Sequence, residues 1–225
     1  NSLVQSMTHP SSLAYAHAHL ALLACARLDA QAARDQAEAA LRLGQLHGLP
    51  MWSAMAKALR GWALTQRGEV AQGLAQIEEG TALWQDRGFQ HFMAFFLSLQ
   101  VEPCLETQKL EKAAAALSAA GAVVESGTDR YWVAELHRLR GELLRAQGSG
   151  PGRVAASFRQ AMDVALQYGA RMLELRAAVS LARLWQSQGR RGAAWEMLAE
   201  VYGWFEEGFE TPDLRAARAV LRSLA

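Results

Sequence analysis

Small and apolar residues recur along this chain with a period of about forty residues. Residues 59–68 read L-R-G-W-A-L-T-Q-R-G, and a related stretch, L-R-G-E-L-L-R-A-Q-G, returns at residues 139–148. A small or slim residue follows each of five predicted turns at spacings of 40, 40, 41 and 40 residues: Ala33, Gly73, Ala113, Val154 and Ala194. The positions four and seven residues later stay apolar or small, which is the spacing of one helical face. The pattern predicts five helix-turn-helix units.

A second set of small or slim positions precedes each turn by seven or eight residues: Ala21, Gly61, Val101, Gly141 and Ala182. The turns themselves are expected at Leu28, Gly68, Gln108, Gly148 and Gly189. A glycine inside a helix costs about 1 kcal/mol relative to alanine. We therefore expect the two helices of a unit to cross closely at Gly61 and at Gly141, where a side chain would hold them apart.

These signals divide the chain into seven segments. Residues 1–10 are predicted to be the tail of a preceding repeat, 11–48 repeat 1, 49–88 repeat 2, 89–128 repeat 3, 129–169 repeat 4, 170–208 repeat 5, and 209–225 a C-terminal capping helix. Pro103 predicts a kink or early stop in the first helix of repeat 3, because proline removes an intrahelical hydrogen bond. Residues 148–152 predict a longer loop inside repeat 4.

The end of the chain carries signals for a helix start. Thr211 suits the N-cap, Pro212 the first helical position, and Asp213 the positive end of the helix dipole. The helix that follows is expected to cover Leu198 together with Trp195 and Trp204, since repeat arrays need capping elements at their ends.

Composition and charge narrow the class of protein. Hydrophobic residues make up 51% of the 225 residues, yet no run approaches the roughly 18 apolar residues that span a bilayer. The net charge is +1, from 23 Lys and Arg against 22 Asp and Glu. A charge this small gives no long-range electrostatic attraction for the phosphates of a nucleic acid. Cys25 and Cys104 form no CxxC pair, so reduced thiols in the cytoplasm are expected. We predict neither a membrane nor a nucleic-acid partner.

Helix pairs with small crossing residues and a glycine turn resemble tetratricopeptide (TPR) repeats, although the usual TPR period is 34 residues. Longer units of this kind resemble the TPR-like superhelix of the maltose-regulon activator and related signal-transduction NTPases. The tail at residues 201–214, V-Y-G-W-F-E-E-G-F-E-T-P-D-L, is similar to the end of large bacterial proteins that join a class III nucleotide cyclase, a P-loop ATPase module and a helical-repeat region. The resemblance implies an all-α, right-handed superhelical array of about five repeats with a capping helix.

The same resemblance implies a cytoplasmic scaffold or sensor arm of a longer protein. Neither the cyclase metal carboxylates nor a G-x-x-x-x-G-K-[ST] loop occurs here, so the chemistry of those domains is not expected in this chain. His17 and His19 are two residues apart and point away from each other on a helix, which disfavours a metal site. We predict no enzyme activity, no metal and no cofactor.

First helices of TPR-like repeats line the concave groove, so their exposed faces are the candidate binding surface. The predicted groove residues are Trp62, Phe95, Glu102, Glu135, Arg138, Glu142, Arg145, Arg176 and Arg183. Arginine suits bidentate capture of a carboxylate or phosphate, which predicts an acidic partner segment or a zwitterionic ligand, with Trp62 and Phe95 as an apolar platform. The alternative is a solvated face with weak pairs along each helix.

Two functions stay open at this point. One is a scaffold that contacts partner proteins or fused domains of the same polypeptide. The other is a sensor that binds a small molecule or a peptide in the groove.

Overall fold

In a computed structural model, which describes residues 9–127 and 129–225, all regular structure is helical. The described chain divides into two compact units, Asn1–Gln108 and Lys109–Ala225. The division falls inside predicted repeat 3, and most of the predicted tail of a preceding repeat lies outside the described residues. The repeat boundaries given above stay a prediction.

Unit one contains six described helices. They are α1 (Pro10–Ala26), α2 (Ala30–Leu46), α3 (Pro50–Thr65), α4 (Val70–Asp86), α5 (Met93–Ser98) and α6 (Val101–Glu106). Each of α1 to α4 packs against the next, and α1 also contacts α3. The first helices of successive repeats therefore lie side by side.

The described residues of unit two form six further helices and one short 3-10 turn, Arg130–Trp132. The helices are α7 (Leu110–Glu125), α8 (Val133–Ala146), α9 (Pro151–Gln167), α10 (Arg171–Ser187), α11 (Arg191–Tyr202) and α12 (Pro212–Leu224). Helix α10 contacts both α8 and α12. The last helix thus occupies the place that the first helix of another repeat would take.

Left-handed backbone marks the predicted turns. Residues with positive φ occur at all five positions, Leu28, Gly68, Gln108, Gly148 and Gly189. Glycine adopts this conformation without a Cβ penalty, which explains its choice at three of them. Gly48, Gly88, Gly127 and Gly169 repeat the conformation just after the ends of α2, α4, α7 and α9, and Gly208 repeats it in the segment between α11 and α12.

The helical face predicted from the forty-residue period forms the core. Ala33, Gly73, Ala113, Val154 and Ala194 are all buried. At the crossing of α3 and α4 the backbones touch, because a Cβ built on Gly61 would lie 2.6 Å from the carbonyl oxygen of Gly73. In unit two, Gly141 instead makes room for the fully buried ring of Phe158.

Two local predictions concern proline. The first helix of repeat 3 is interrupted as expected, since α5 ends at Ser98 and α6 begins at Val101, just before Pro103. The predicted loop at residues 148–152 is shorter than expected, because α9 already begins at Pro151. Proline is compatible with the first turn of a helix, where its missing N–H has no partner to lose.

The start of α12 differs from the prediction. Thr211 is the N-cap residue and Pro212 begins the helix, but the Thr211 side chain makes no capping hydrogen bond. Helix α12 does pack on the core that contains Leu198. Trp195 and Trp204 nevertheless stay exposed, so the prediction that α12 covers them is wrong.

Candidate functional site

The predicted groove residues belong to both units. Trp62, Phe95 and Glu102 lie in unit one, on α3, α5 and α6, and the others lie in unit two. Trp62 is 4% exposed and Phe95 is 3% exposed, while Glu102 is half-buried. Neither ring presents a surface, so the apolar platform predicted at these two residues is wrong: both face the core between helices.

Unit one exposes a different set of rings on its first helices, which we call the aromatic cluster: Tyr15, His19, Trp52 and Phe92. Tyr15 and His19 lie one turn apart on α1, with ring centroids 4.1 Å apart. Trp52 on α3 meets the Tyr15 ring edge-on at 5.3 Å, and Phe92 lies 5.9 Å from His19. Tyr15 is 50% exposed. Three predicted repeats thus contribute rings to one partly exposed surface.

The backbone holds Phe92 in an unusual conformation. Its φ is 64° and it is the N-cap of α5, a left-handed state that costs a bulky L-residue roughly 1–2 kcal/mol. Strained residues of this kind concentrate at binding sites and switch regions. Phe92, the residue through which predicted repeat 3 joins the aromatic cluster, is thus also the one with a strained backbone.

The aromatic cluster has a signal in the sequence that the groove prediction overlooked. Trp52, Phe92 and Trp132 occur at intervals of forty residues, in step with the repeat. The prediction counted from the crossing glycine along the middle of each helix, whereas this position lies at the N-terminal end. Of the three, Trp132 is buried in unit two.

The histidines of α1 have partners other than a metal. His17 Nδ1 lies 2.7 Å from Gln36 Oε1, and His19 Nδ1 lies 2.9 Å from the carbonyl oxygen of Tyr15. Within residues 9–127 and 129–225, no group of three or more His, Cys, Asp or Glu is arranged to hold a metal ion. No helix in that same part of the chain is both long and apolar enough to cross a membrane.

In unit two the predicted charges on α8 form an internal network. Arg138 donates to Glu135 through two nitrogens, one at 3.0 Å, and its guanidinium also lies 4.0 Å from Glu142. Glu142 accepts hydrogen bonds from Arg145 at 2.9 Å and from Ser180 on α10 at 2.8 Å. Glu135 and Arg138 are buried. The alternative of a fully solvated face is therefore wrong for these two residues.

Arg176 on α10 joins the capping helix instead of facing a groove. Its guanidinium donates two hydrogen bonds of 2.8 Å to the carboxylate of Asp213 on α12, and both side chains are nearly inaccessible. Burial lowers the pKa of Arg176 and the Asp213 carboxylate raises it, and the net result is a raised pKa. Asp213, predicted to serve the helix dipole, neutralises a buried arginine as well.

Two of the predicted arginines remain accessible. The Arg145 side chain is 63% exposed beside Glu142. Arg183 on α10 is exposed and forms no ion pair within the described residues. Substituting Arg138 together with Arg176 would disturb folding, so Arg145 and Arg183 are the residues with which to test an anion-binding face.

Sequence comparison shows a relative of part of this chain. No family model matches the chain. An uncharacterised protein of Rhizobium meliloti (strain 1021) is 30% identical over 138 residues, which are 61% of this chain and 13% of that protein. The chain therefore spans only about 13% of the length of this relative.

Solved structures similar to the chain are helical-repeat proteins. Two crystal structures of a Podosopora anserina protein, described as a putative kinesin light chain with nearly identical TPR-like repeats, share 16% identity and cover 88% of this chain and 96% of theirs. The TM-scores are 0.58 for a single-residue variant of that protein and 0.57 for the other structure. The apo form of RapI gives a TM-score of 0.60 at 12% identity, over 98% of this chain and 85% of that one. The predicted all-α, TPR-like repeat fold is confirmed.

Proposed function

We propose that this chain is a non-catalytic helical-repeat module that binds a partner polypeptide through the aromatic cluster of unit one. The observation that carries the proposal is the clustering of Tyr15, His19, Trp52 and Phe92 at a partly exposed surface. Tyrosine and tryptophan dominate the binding energy of protein interfaces, because each buries a large rigid area and keeps a polar tip. Alternating rings from successive helices suit an extended segment with apolar side chains.

We also propose that the module is one arm of a longer bacterial signalling protein, with a fused cyclase or ATPase domain as the partner. Two observations support this. The 138 matched residues make up only 13% of the Rhizobium meliloti relative, and the tail at residues 201–214 resembles the end of such proteins. A cytoplasmic location belongs to the same proposal, supported by Cys25 and Cys104, two buried cysteines that form no disulfide in the described part of the chain.

Site-specific photo-crosslinking in the full-length protein tests the aromatic cluster. A benzophenone amino acid replaces Tyr15, and in the control it replaces Tyr168, which is similarly exposed in unit two. We expect Tyr15 crosslinks to map by mass spectrometry to one defined polypeptide segment, and Trp52→Ala to reduce their yield. Equal, dispersed crosslinks from both positions would contradict the proposal.

A second function rests on the exposed guanidinium groups of Arg145 and Arg183. They lie on successive first helices, α8 and α10, whose neighbouring residues Glu142 and Ser180 are in contact. Two guanidinium groups carried by adjacent helices can bind an acidic segment or a zwitterionic ligand. In this alternative function the chain is a sensor, and Arg145 and Arg183 are the residues that contact the ligand.

A thermal-shift assay with a capped hexaglutamate peptide at low ionic strength tests this alternative, because a ligand of the native state raises the melting temperature. Arg145→Gln with Arg183→Gln should abolish the rise, and Arg153→Gln with Arg222→Gln, the same charge change elsewhere in unit two, should preserve it. An equal rise in both double variants would show that the peptide responds to net charge alone.

A further inference from the structure

The irregular segment between α11 and α12 borders a recess in unit two. Residues 203–211 and the start of α10 surround a half-open cavity of about 950 Å³. The walls relevant here are Met172, Trp204, Phe205, Glu206, Glu207 and Thr211. This volume is in the range of small-ligand pockets and exceeds that of one side chain.

One wall of the recess is aromatic. Trp204 lines the recess and is 56% exposed. The guanidinium of Arg171 lies over the Trp204 ring at 5.1 Å from its centre, held by a 2.8 Å hydrogen bond to Glu174. The chain therefore already places a cation against this ring, the arrangement that the negative face of an indole favours.

The same segment adds two acidic side chains to the recess. Glu206 and Glu207 line the recess, and no ion pair is formed by either among the described residues. Glu210 in the same segment faces Arg218 at 3.5 Å instead. The hydroxyl oxygen of Thr211, at the edge of the recess, is buried without a hydrogen-bond partner in the part of the chain that the structure describes. Buried polar atoms of native proteins are nearly always paired.

We propose that this recess binds a lysine or arginine side chain of a partner polypeptide. The aliphatic stem packs on Met172 and Trp204, the charged group reaches Glu206 and Glu207, and the remaining volume accommodates the flanking backbone. Charge complementarity decides the occupant: an anion would meet two carboxylates, and a purely apolar group would leave both of them desolvated without a counter-charge. The recess is a second binding site, separate from the aromatic cluster of unit one.

The direct test uses capped tripeptides, Ac-Gly-Xaa-Gly-NH2, and the indole N–H signal of Trp204 in the ¹⁵N spectrum of the whole chain. With Arg or Lys at Xaa we expect saturable shifts of this signal at millimolar peptide. Citrulline, the neutral analogue of arginine, and Glu should give none. Shifts of equal size with citrulline, or no saturable shift with Arg and Lys, would overturn the proposal.

Variants separate the recess from general charge effects. Glu206→Gln with Glu207→Gln should weaken the binding of the Arg tripeptide about tenfold, the combined effect of two exposed carboxylates. The matched control, Glu196→Gln with Glu200→Gln, removes two exposed charges from α11 and should leave binding unchanged. Equal weakening in both pairs would show a non-specific acidic surface.

A second pair tests the ring. Trp204→Leu should abolish the saturable response, followed through the amide signals of residues 206–208. Trp195→Leu removes the exposed tryptophan of α11 and should retain the saturable response. If Trp204→Leu still binds the Arg tripeptide, the indole ring is not part of the binding site and the proposal is wrong.

Discussion

Replacing Gly61 by alanine adds a single methyl group where two backbones touch. A Cβ at this position would lie 2.6 Å from the carbonyl oxygen of Gly73, 2.7 Å from the nitrogen of Ile77 and 2.9 Å from the Cβ of Gln76. The two closest atoms are main-chain atoms of α4, which cannot rotate away as a side chain would. Because favourable contacts lie near 3.5 Å, α3 and α4 must separate by roughly 1 Å.

The sign of the change follows from two opposed effects. Alanine is preferred over glycine in a helix by about 1 kcal/mol. Overpacking a close-packed core costs about 1–3 kcal/mol, and backbone contact places this site at the upper end. We expect Gly61→Ala to lower the free energy of unfolding by about 1–2 kcal/mol, and Gly61→Leu by more, since a larger side chain must fit the same crossing.

Urea unfolding measures the loss, and hydrogen exchange of the α3 and α4 amides localises it to unit one. With an m-value of about 2 kcal/mol/M, the midpoint should fall by roughly 0.5–1 M. The matched control is Gly121→Ala on α7, where a Cβ would meet nothing within 4 Å. The same substitution should there stabilise the chain by about 0.5–1 kcal/mol through helix propensity alone.

Opposite signs for the two alanine variants are the expected outcome. If Gly61→Ala is as stable as the wild-type chain, or if both variants gain stability together, the close crossing of α3 and α4 is wrong.

Three further predictions concern unit two. Asp213→Asn should lower the free energy of unfolding by about 3–5 kcal/mol, because it leaves the Arg176 charge buried without a counter-charge. Urea unfolding should show that the double variant Arg176→Met with Asp213→Leu recovers much of the lost stability. An equally unstable double variant would contradict the pairing. Burial and, to a smaller extent, Arg140 lower the pKa of His137 below 6.5 in the folded chain. As the pH falls, the imidazole is therefore protonated more readily in the unfolded chain, and the free energy of unfolding decreases below about pH 6.5. His137→Gln should therefore reduce the change of the urea midpoint between about pH 7.5 and 5.5. If the variant and the wild-type chain show the same pH dependence, His137 does not contribute to it. Truncation before Thr211 should cause aggregation detectable by light scattering, since it uncovers Leu198 and leaves Arg176 unpaired; a monomeric truncate of equal stability would refute the capping role of α12.

The sequence by itself determined the class of fold and the positions of its turns. Small residues at intervals of forty, extended by steps of four and seven, can be buried together only on a helical face, and that face is the observed core. The five predicted turns, including Leu28 and Gln108, have left-handed backbone. Backbone preferences and periodicity suffice for these features, because both can be read along the chain without knowing which helices pack together.

Only the tertiary structure decided which side chains of the first helices are accessible. Trp62 and Phe95 have the spacing of groove residues, yet the neighbouring helices cover them. Tyr15 and Trp52, which lie in the N-terminal halves of α1 and α3, belong to the partly exposed aromatic cluster instead. Burial depends on how closely successive helices approach, and that distance is set by side chains about forty residues away.

The same reason applies to the charged residues and to the recess. Pairs within one helix, such as Glu135 with Arg138, follow from spacing alone, but Arg176 meets Asp213 across 37 residues and thereby changes from a candidate ligand contact to part of the cap. The recess beside Trp204 lies in a segment without periodicity, at residues 203–211. The ring and the carboxylates are neighbours in the chain, whereas the wall supplied by α10 is brought to them by helix packing, which no local pattern encodes.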